Sequence, residues 1–327
     1  MPEKIQRMLI ALIVAAAVVG AVRDWKDDRP SVSAHYYEQT ETAGAVEAAY
    51  TAPGPYEVAY EEHPAQNPLV GRHEIWYPAA LEEEAGVEWP IVVMANGTGV
   101  PASRYIPVFR HLASWGFVVI GNEQQNAWSG ETSEDSLELL LQLNEDPDSV
   151  FYHKLDTDNV GSAGHSQGAI GALNAVTEQP GGSRYRALYL ASCPSSRYAD
   201  ALGWAYDPAR IAVPCLLVAG TGLLDAGDPG APEELMSPEV AQDAEEISIA
   251  PLWSQEEIYR LIPEEVPKAR ARRTGADHAE MLPWPDGYMT AWFRYWLMGD
   301  EAAGAAFLGP QAELAANPLW QDVEKNL

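Results

Sequence analysis

The sequence predicts an α/β protein in which a mostly parallel sheet is covered by helices on both faces. Three observations carry that expectation. Apolar runs of five to eight residues alternate with helical patterns along 90–298, which is how strands buried on two faces and their crossover helices read. At 159–176 a strand, a glycine-flanked turn and a helix follow one another directly. The chain of 327 residues is long enough for one large α/β domain with a short leader and tail, and no internal repeat divides it.

From the N-terminus, Lys4 and Arg7 precede the apolar run Met8 to Val22, and the charged stretch Arg23 to Arg29 follows. Fifteen apolar residues are short for a membrane span, which needs about 20. They suit the hydrophobic region of a secretory signal peptide, with Val19-Gly20-Ala21 as a small-residue cleavage site. An uncleaved signal anchor is the alternative, with Trp25 and helix tilt accommodating a short span. Either reading of residues 1–29 exports the rest of the chain, and the membrane is expected as a partner only through such an anchor. No cysteine directly follows the run, which excludes a lipoprotein anchor. Residues 30–52, polar and rich in Ala and Glu, are expected to be a linker, and 53–327 the folded domain.

Within the domain, Pro90 to Asn96, Gly116 to Ile120, Asn159 to Ala163, Arg186 to Ser192 and Val213 to Gly220 read as strands. Lys268 to Arg273 is a basic, strand-like run. Helices are expected at Tyr105–Trp115, Ser133–Asn144, Ser166–Thr177 and Pro285–Met298 from their apolar periodicity. The stretch 226–263 contains two further helix-like segments, Pro238 to Glu246 and Gln255 to Leu261, and is expected to lean over the mouth of the site as a partial cap. Residues 299–327 are expected to form short helices on the outside, anchored by Phe307, Leu308 and Trp320.

The chemistry is concentrated at Gly164-His165-Ser166-Gln167-Gly168. A strand, G-x-S-x-G and a helix make a nucleophile elbow. The tight turn demands glycine two positions to either side of the serine, because a Cβ there would meet the neighbouring strand or helix. It also places Ser166 at a helix N-terminus, where amides face developing negative charge. A serine hydroxyl needs a base to take its proton and an acid to orient that base, and behind such an elbow they follow in the order acid, then histidine. Of seven histidines only His278 lies beyond Ser166, so His278 is the candidate base. Asp225 is the first carboxylate after the apolar strand Val213 to Gly220 and is the candidate acid, with Asp228 in reserve. Asp277 reads as a solvated loop acid. The two backbone donors that a tetrahedral intermediate requires are assigned to the amides of Gln167 and of Thr98, the latter in the Gly97-Thr98-Gly99 turn after the strand Pro90 to Asn96. Asn96-Gly97-Thr98 is also a formal glycosylation sequon, read as a chance match.

The succession of Asn-Gly-Thr-Gly loop, elbow, Val-Pro-x-Leu-Leu strand, Asp and Gly-Ala-Asp-His resembles the α/β-hydrolase superfamily. Within it, the chain is similar to bacterial cutinase-like and polyester-hydrolase-like esterases, grouped with dienelactone-hydrolase and chlorophyllase-like sequences. The likeness runs from about Gly54 to Asp300, with Gly54-Pro55-Tyr56 and Ile75-Trp76-Tyr77-Pro78 matching the opening strands and Ala291 to Leu297 the last helix. It implies a serine esterase that needs no cofactor, with the motif roles falling on Ser166, Asp225, His278, Thr98 and Gln167.

Composition narrows the partners. The net charge is −28, and five lysines stand against fifteen arginines. Such a field repels nucleic acid and anionic membranes and favours neutral substrates. No metal-binding or dinucleotide motif is present: there is no His-Glu-x-x-His, no Cys-x-x-Cys and no Gly-x-Gly-x-x-Gly after a strand. Cys193 and Cys215 fall at opposite ends of neighbouring predicted strands. That places them about 17–20 Å apart, against the roughly 7 Å that a disulfide tolerates between Cα atoms, so two buried thiols are expected.

The expected activity is therefore carboxylic ester hydrolysis through an acyl-enzyme on Ser166, by a monomer acting on a small or polymeric ester. Trp128, Trp204, Trp253 and Trp284 are the candidates for lining an acyl pocket, no more than two of them touching substrate. The loops 123–133, 194–210 and 226–263 would set specificity. A peptidase, thioesterase or acyltransferase would use the same residues. A non-catalytic binding scaffold of the same fold is the reading from another class, and the retained serine, acid and histidine speak against it.

Overall fold

The computed structural model describes residues 31–84, 86–226 and 248–327. The leader 1–30, Asp228 and the segment Pro238 to Glu246 lie outside the described residues.

Among the described residues nine strands form one sheet: β1 (Val58–Pro64), β2 (Arg72–Pro78), β3 (Trp89–Ala95), β4 (Val118–Asn122), β5 (Leu155–His165), β6 (Tyr185–Ala191), β7 (Cys215–Gly220), β8 (Lys268–Arg273) and β9 (Trp320–Lys325). Their order is β1-β2-β4-β3-β5-β6-β7-β8-β9. The block β4-β3-β5-β6-β7-β8 is parallel throughout, and β1, β2 and β9 extend it with antiparallel pairings. The fold class is thus α/β with a mostly parallel central sheet.

The helices are α1 (Ala45–Thr51), α2 (Ile106–Ser114), α3 (Glu131–Glu145), α4 (Gln167–Thr177), α5 (Ser196–Leu202), α6 (Leu252–Leu261) and α7 (Asp286–Met298), with one-turn segments at Leu223–Ala226 and elsewhere. Alternation along each strand sends residues to opposite faces. Val92, Met94, Ala163 and Tyr189 pack under α2 and α7. Ile91, Val93, Leu188, Leu190 and Leu217 pack on the other face under α3, α4 and α6. Both faces are dry, which is why the parallel strands are near-continuous apolar runs.

Three expectations are corrected here. Residues 31–52 are part of the domain rather than a linker: Val32, Tyr36 and Tyr50 are buried in the same core as α2 and α7. Glu47 of α1 accepts from Asn317 Nδ2 and Trp320 Nε1, both at 2.8 Å. In return the Glu313 carboxylate accepts from the amides of Val46 and Glu47 at the free end of α1. α1 buries Glu47, Tyr50 and Thr51 while Ala45, Ala48 and Ala49 are exposed, so no apolar face announces it in the sequence. The tail is also not all helix: β9 pairs with β8, its polar sequence suiting an edge strand. Phe307 and Trp320 are buried and Leu308 is half-buried. Finally, the segment Gln255 to Leu261 lies within α6, which packs on β7 and β8 with Ile258 in the core. This part of 226–263 covers the sheet and is no cap.

The basic strand β8 keeps its charges by pairing them. Lys268 Nζ donates to the carbonyls of Tyr259 and Ile262, Arg270 meets Glu324, and Arg273 donates to the carbonyls of Leu319 and Glu41. A buried cation is tolerable only when it is satisfied in this way.

Candidate active site

Three parallel strands deliver the site from their C-terminal ends. β5 runs into a turn in which Ser166 has φ 59° and ψ −128°, a region that non-glycine residues rarely occupy and that carries strain. Two glycines make the turn possible. A Cβ on Gly164 would lie 1.9 Å from the Gly168 carbonyl oxygen, and one on Gly168 would lie 2.2 Å from that of Ala95 at the end of β3. The chain therefore folds back on itself and on β3 at the same point, presenting Ser166 at the start of α4.

β7 is followed by the one-turn helix Leu223–Ala226, and Asp225 within it is completely buried. The loop after β8 brings His278 over the elbow. His278 Nε2 is 2.9 Å from Ser166 Oγ, and its Nδ1 is 2.6 Å from Asp225 Oδ1. Serine, histidine and aspartate, 112 and 53 positions apart in the two contacts, form one hydrogen-bonded series. The other Asp225 oxygen accepts from Ser192 Oγ at 2.6 Å and the Gly220 amide at 2.7 Å. Burial pushes the Asp225 carboxyl up. The adjacent His278, with the bonds from Ser192 and Gly220, outweighs it and holds the group below its usual range. An ionised carboxylate so placed fixes the imidazole with its proton on Nδ1, leaving Nε2 to accept the serine proton.

The two amides assigned as anion donors lie at the start of α4 and in the turn after β3. Gln167 begins α4, with its side-chain Oε1 engaged by the Ala127 amide at 2.8 Å. Thr98 follows β3, between Gly97, whose amide donates to Tyr105 Oη, and Gly99, whose amide donates to the Gln125 carbonyl. The Thr98 and Gln167 amides find no acceptor among the described residues. Asn96 is buried with its Nδ2 donating to the carbonyls of Asn122 and Gln124, so the sequon nitrogen is occupied in the fold.

Several residues at the site carry no motif. Ser192, at the end of β6 with φ 46°, holds the acid. Asp277 is a tie between loops rather than a solvated acid: its Oδ1 accepts from the amides of Leu224, Asp225 and His278. His165 donates from Nε2 to the His278 carbonyl at 2.7 Å. No sequence signal isolates Ser192, but the acid beside the only eligible histidine was a usable hint for Asp277.

Of the four candidate tryptophans, Trp128 and Trp204 share the core under α4 and α6, and Trp253 and Trp284 each lie against an arginine. Trp204 is buried against Tyr198 and belongs to the core under α4 and α6. Trp128 packs against the same core, Trp253 lies under Arg197 at 4.8 Å, and Trp284 faces Arg273 at 5.7 Å. Asn174 of α4 ties two of the loops by donating to the carbonyls of Trp128 and Ala205. Cys193 and Cys215 are both buried and unpaired. The register pairs Leu188 with Cys215, which leaves Cys193 beyond the other end of β6. Among the described residues no group of three or more His, Cys, Asp or Glu side chains is arranged to hold a metal ion. No protein-family model and no curated protein matches the chain.

Proposed function

We propose that the chain is a serine carboxylic ester hydrolase of the α/β-hydrolase superfamily. The observation that carries this reading is the series Ser166 Oγ, His278 Nε2 and Nδ1, Asp225 Oδ1 at 2.9 and 2.6 Å, supported by amides at Thr98 and Gln167 that find no acceptor among the described residues. In the reaction, Ser166 Oγ attacks the ester carbonyl as His278 Nε2 takes its proton, and the oxyanion is held by the two amides. The imidazolium returns that proton to the departing alcohol. Water then repeats the sequence on the acyl-enzyme, releasing the acid and restoring Ser166. The buried Asp225 carboxylate stabilises the imidazolium in both halves.

The negative charge of the chain supports neutral esters as substrates, and the leader supports export. The test is a p-nitrophenyl ester series of increasing acyl length, run beside a polyester film and an acetylated xylan, with a fluorophosphonate to label the nucleophile. Hydrolysis of at least one ester with label on Ser166 is expected. No turnover and no label on Ser166 would overturn the reading.

A further inference from the structure

We propose that His165 is a positioning residue that sets the base against the nucleophile by holding the backbone carbonyl of His278. This rests on the esterase reading of the site and adds a residue that the motif leaves undefined.

Apart from its bond to Ser166, His278 is held at three points. Its ring is bound through Nδ1 by Asp225, its amide donates to Asp277 Oδ1 at 2.8 Å, and its carbonyl accepts from His165 Nε2 at 2.7 Å. The first two anchors belong to the acid turn and to the histidine loop itself. Of these three anchors, His165 comes from the segment that carries the nucleophile, one residue before Ser166. It therefore fixes the distance between base and nucleophile independently of the bond between them. The rings of His165 and His278 also lie 4.6 Å apart, so the side chain supports the loop by contact as well.

The donor and acceptor pattern fixes the state of His165. The His278 carbonyl can only accept, so Nε2 carries the proton. Burial, then the neighbouring His278, lowers the His165 pKa to about 3, which keeps the ring neutral and adds no charge against the imidazolium formed during turnover. The other side of the residue meets the turn that bears Thr98. A Cβ on Gly97 would stand 3.3 Å from the His165 carbonyl oxygen and 3.7 Å from its Nδ1. One residue thus touches the base loop and the Thr98 turn while being bonded to the nucleophile.

Misplacement by about 1 Å can cost on the order of 10²-fold in rate, and the proposal is tested on that scale. His165→Phe keeps a ring and removes the donor; His165→Gln restores an amide N–H near the position of Nε2; His165→Asn falls short of it. The measurements are the pre-steady-state burst of p-nitrophenol, kcat and KM separately, and the low-field proton resonance of the His278 Nδ1–H. His165→Phe and His165→Asn should slow acylation about 10-fold to 10²-fold with KM within about 2-fold, and broaden or shift that resonance. His165→Gln should recover most of both. Acylation by the Phe and Asn variants at the parent rate with an unchanged resonance would overturn the proposal, as would a Gln variant as slow as they are. Should the Phe variant not fold, the Asn and Gln pair decides. Should the unaltered chain neither hydrolyse an ester nor take the fluorophosphonate label on Ser166, the esterase reading fails instead, and the resonance still reports whether His165 places His278.

Discussion

His111 and Asp286 form a second imidazole–carboxylate pair, with Nδ1 2.6 Å from Oδ2 and both side chains buried. It differs from His278 and Asp225 in what lies on the far nitrogen. His111 Nε2 faces the carbonyls of Thr51 and Ala52 at 3.0 and 2.9 Å, so Nε2 carries a proton, and the Asp286 carboxyl on Nδ1 favours a second. Tyr36 donates its hydroxyl to the same Asp286 oxygen. The pair clamps the N-terminal segment to α2 and α7, its Nε2 turned to backbone carbonyls where His278 turns to a serine hydroxyl.

Burial pushes the His111 pKa down, but Asp286 and the two carbonyls outweigh it and raise it above its ordinary value. With the folded value above the unfolded value of about 6.5, the contribution to stability is full below that pH and is lost as pH rises through the folded value. Asp225 acts with the opposite sign: its lowered pKa stabilises above the unfolded value of about 3.9 and the benefit is lost as pH falls through the folded value. Asp286→Asn should leave a buried imidazolium unpaired, costing about 3–5 kcal/mol, and should flatten the alkaline limb. Urea unfolding over a pH series checks this, and an equal loss at every pH would deny His111 its charge.

Removal of 31–53 should cost the domain its fold, whereas a chain beginning at Ser31 keeps it. The deletion strips Tyr36, Glu47 and Tyr50 from their partners and leaves Trp320 Nε1, Asn317 and His111 without acceptors that they now use. Thermal unfolding of the two truncated forms is the measurement, and equal midpoints would return the segment to the status of a linker.

Ser166→Ala should lower esterase turnover by on the order of 10⁴-fold or more while the protein stays folded. Ser166→Gly should be equally inactive but more stable than the alanine variant by about 1 kcal/mol, because glycine occupies φ 59° without the strain that a Cβ brings. An alanine variant at least as stable as the glycine variant would show that the turn is unstrained.

Asp225→Asn should reduce kcat by roughly 10⁴-fold, since the imidazole loses the carboxylate that fixes its tautomer. Ser192→Ala removes one of three donors to that carboxylate. Turnover should fall only several-fold, on the order of one lost hydrogen bond, with the acid limb of kcat/KM moving to higher pH as the carboxylate grows more basic. A Ser192→Ala profile that superposes on the parent would remove Ser192 from the site.

Both cysteines should remain reduced. Burial pushes each thiol pKa well above its ordinary value, so alkylation should be slow in the folded protein and complete after denaturation without reductant. A species two mass units light, carrying no alkyl group, would reveal a Cys193–Cys215 bridge and displace the register of β6 against β7.

The sequence by itself determined the elements that depend on local pattern. The buried parallel strands are legible because both faces are dry, and the elbow because Gly164 and Gly168 have no room for a Cβ. Chain order alone singled out His278, and the end of the β7 strand pointed to Asp225. What only the tertiary structure decided is how side chains distant in sequence satisfy one another. The segment 31–52 reads as polar because its buried groups are Glu47 and tyrosine hydroxyls, whose partners lie about the C-terminal tail and α7. β9 is an edge strand without an apolar run, so only its ladder with β8 defines it. Ser192, Asp277 and His165 hold the acid and base through single hydrogen bonds to carboxylate, amide and carbonyl groups, and such contacts leave no periodicity in the chain because their geometry exists only once β5, β6, β7 and β8 stand side by side.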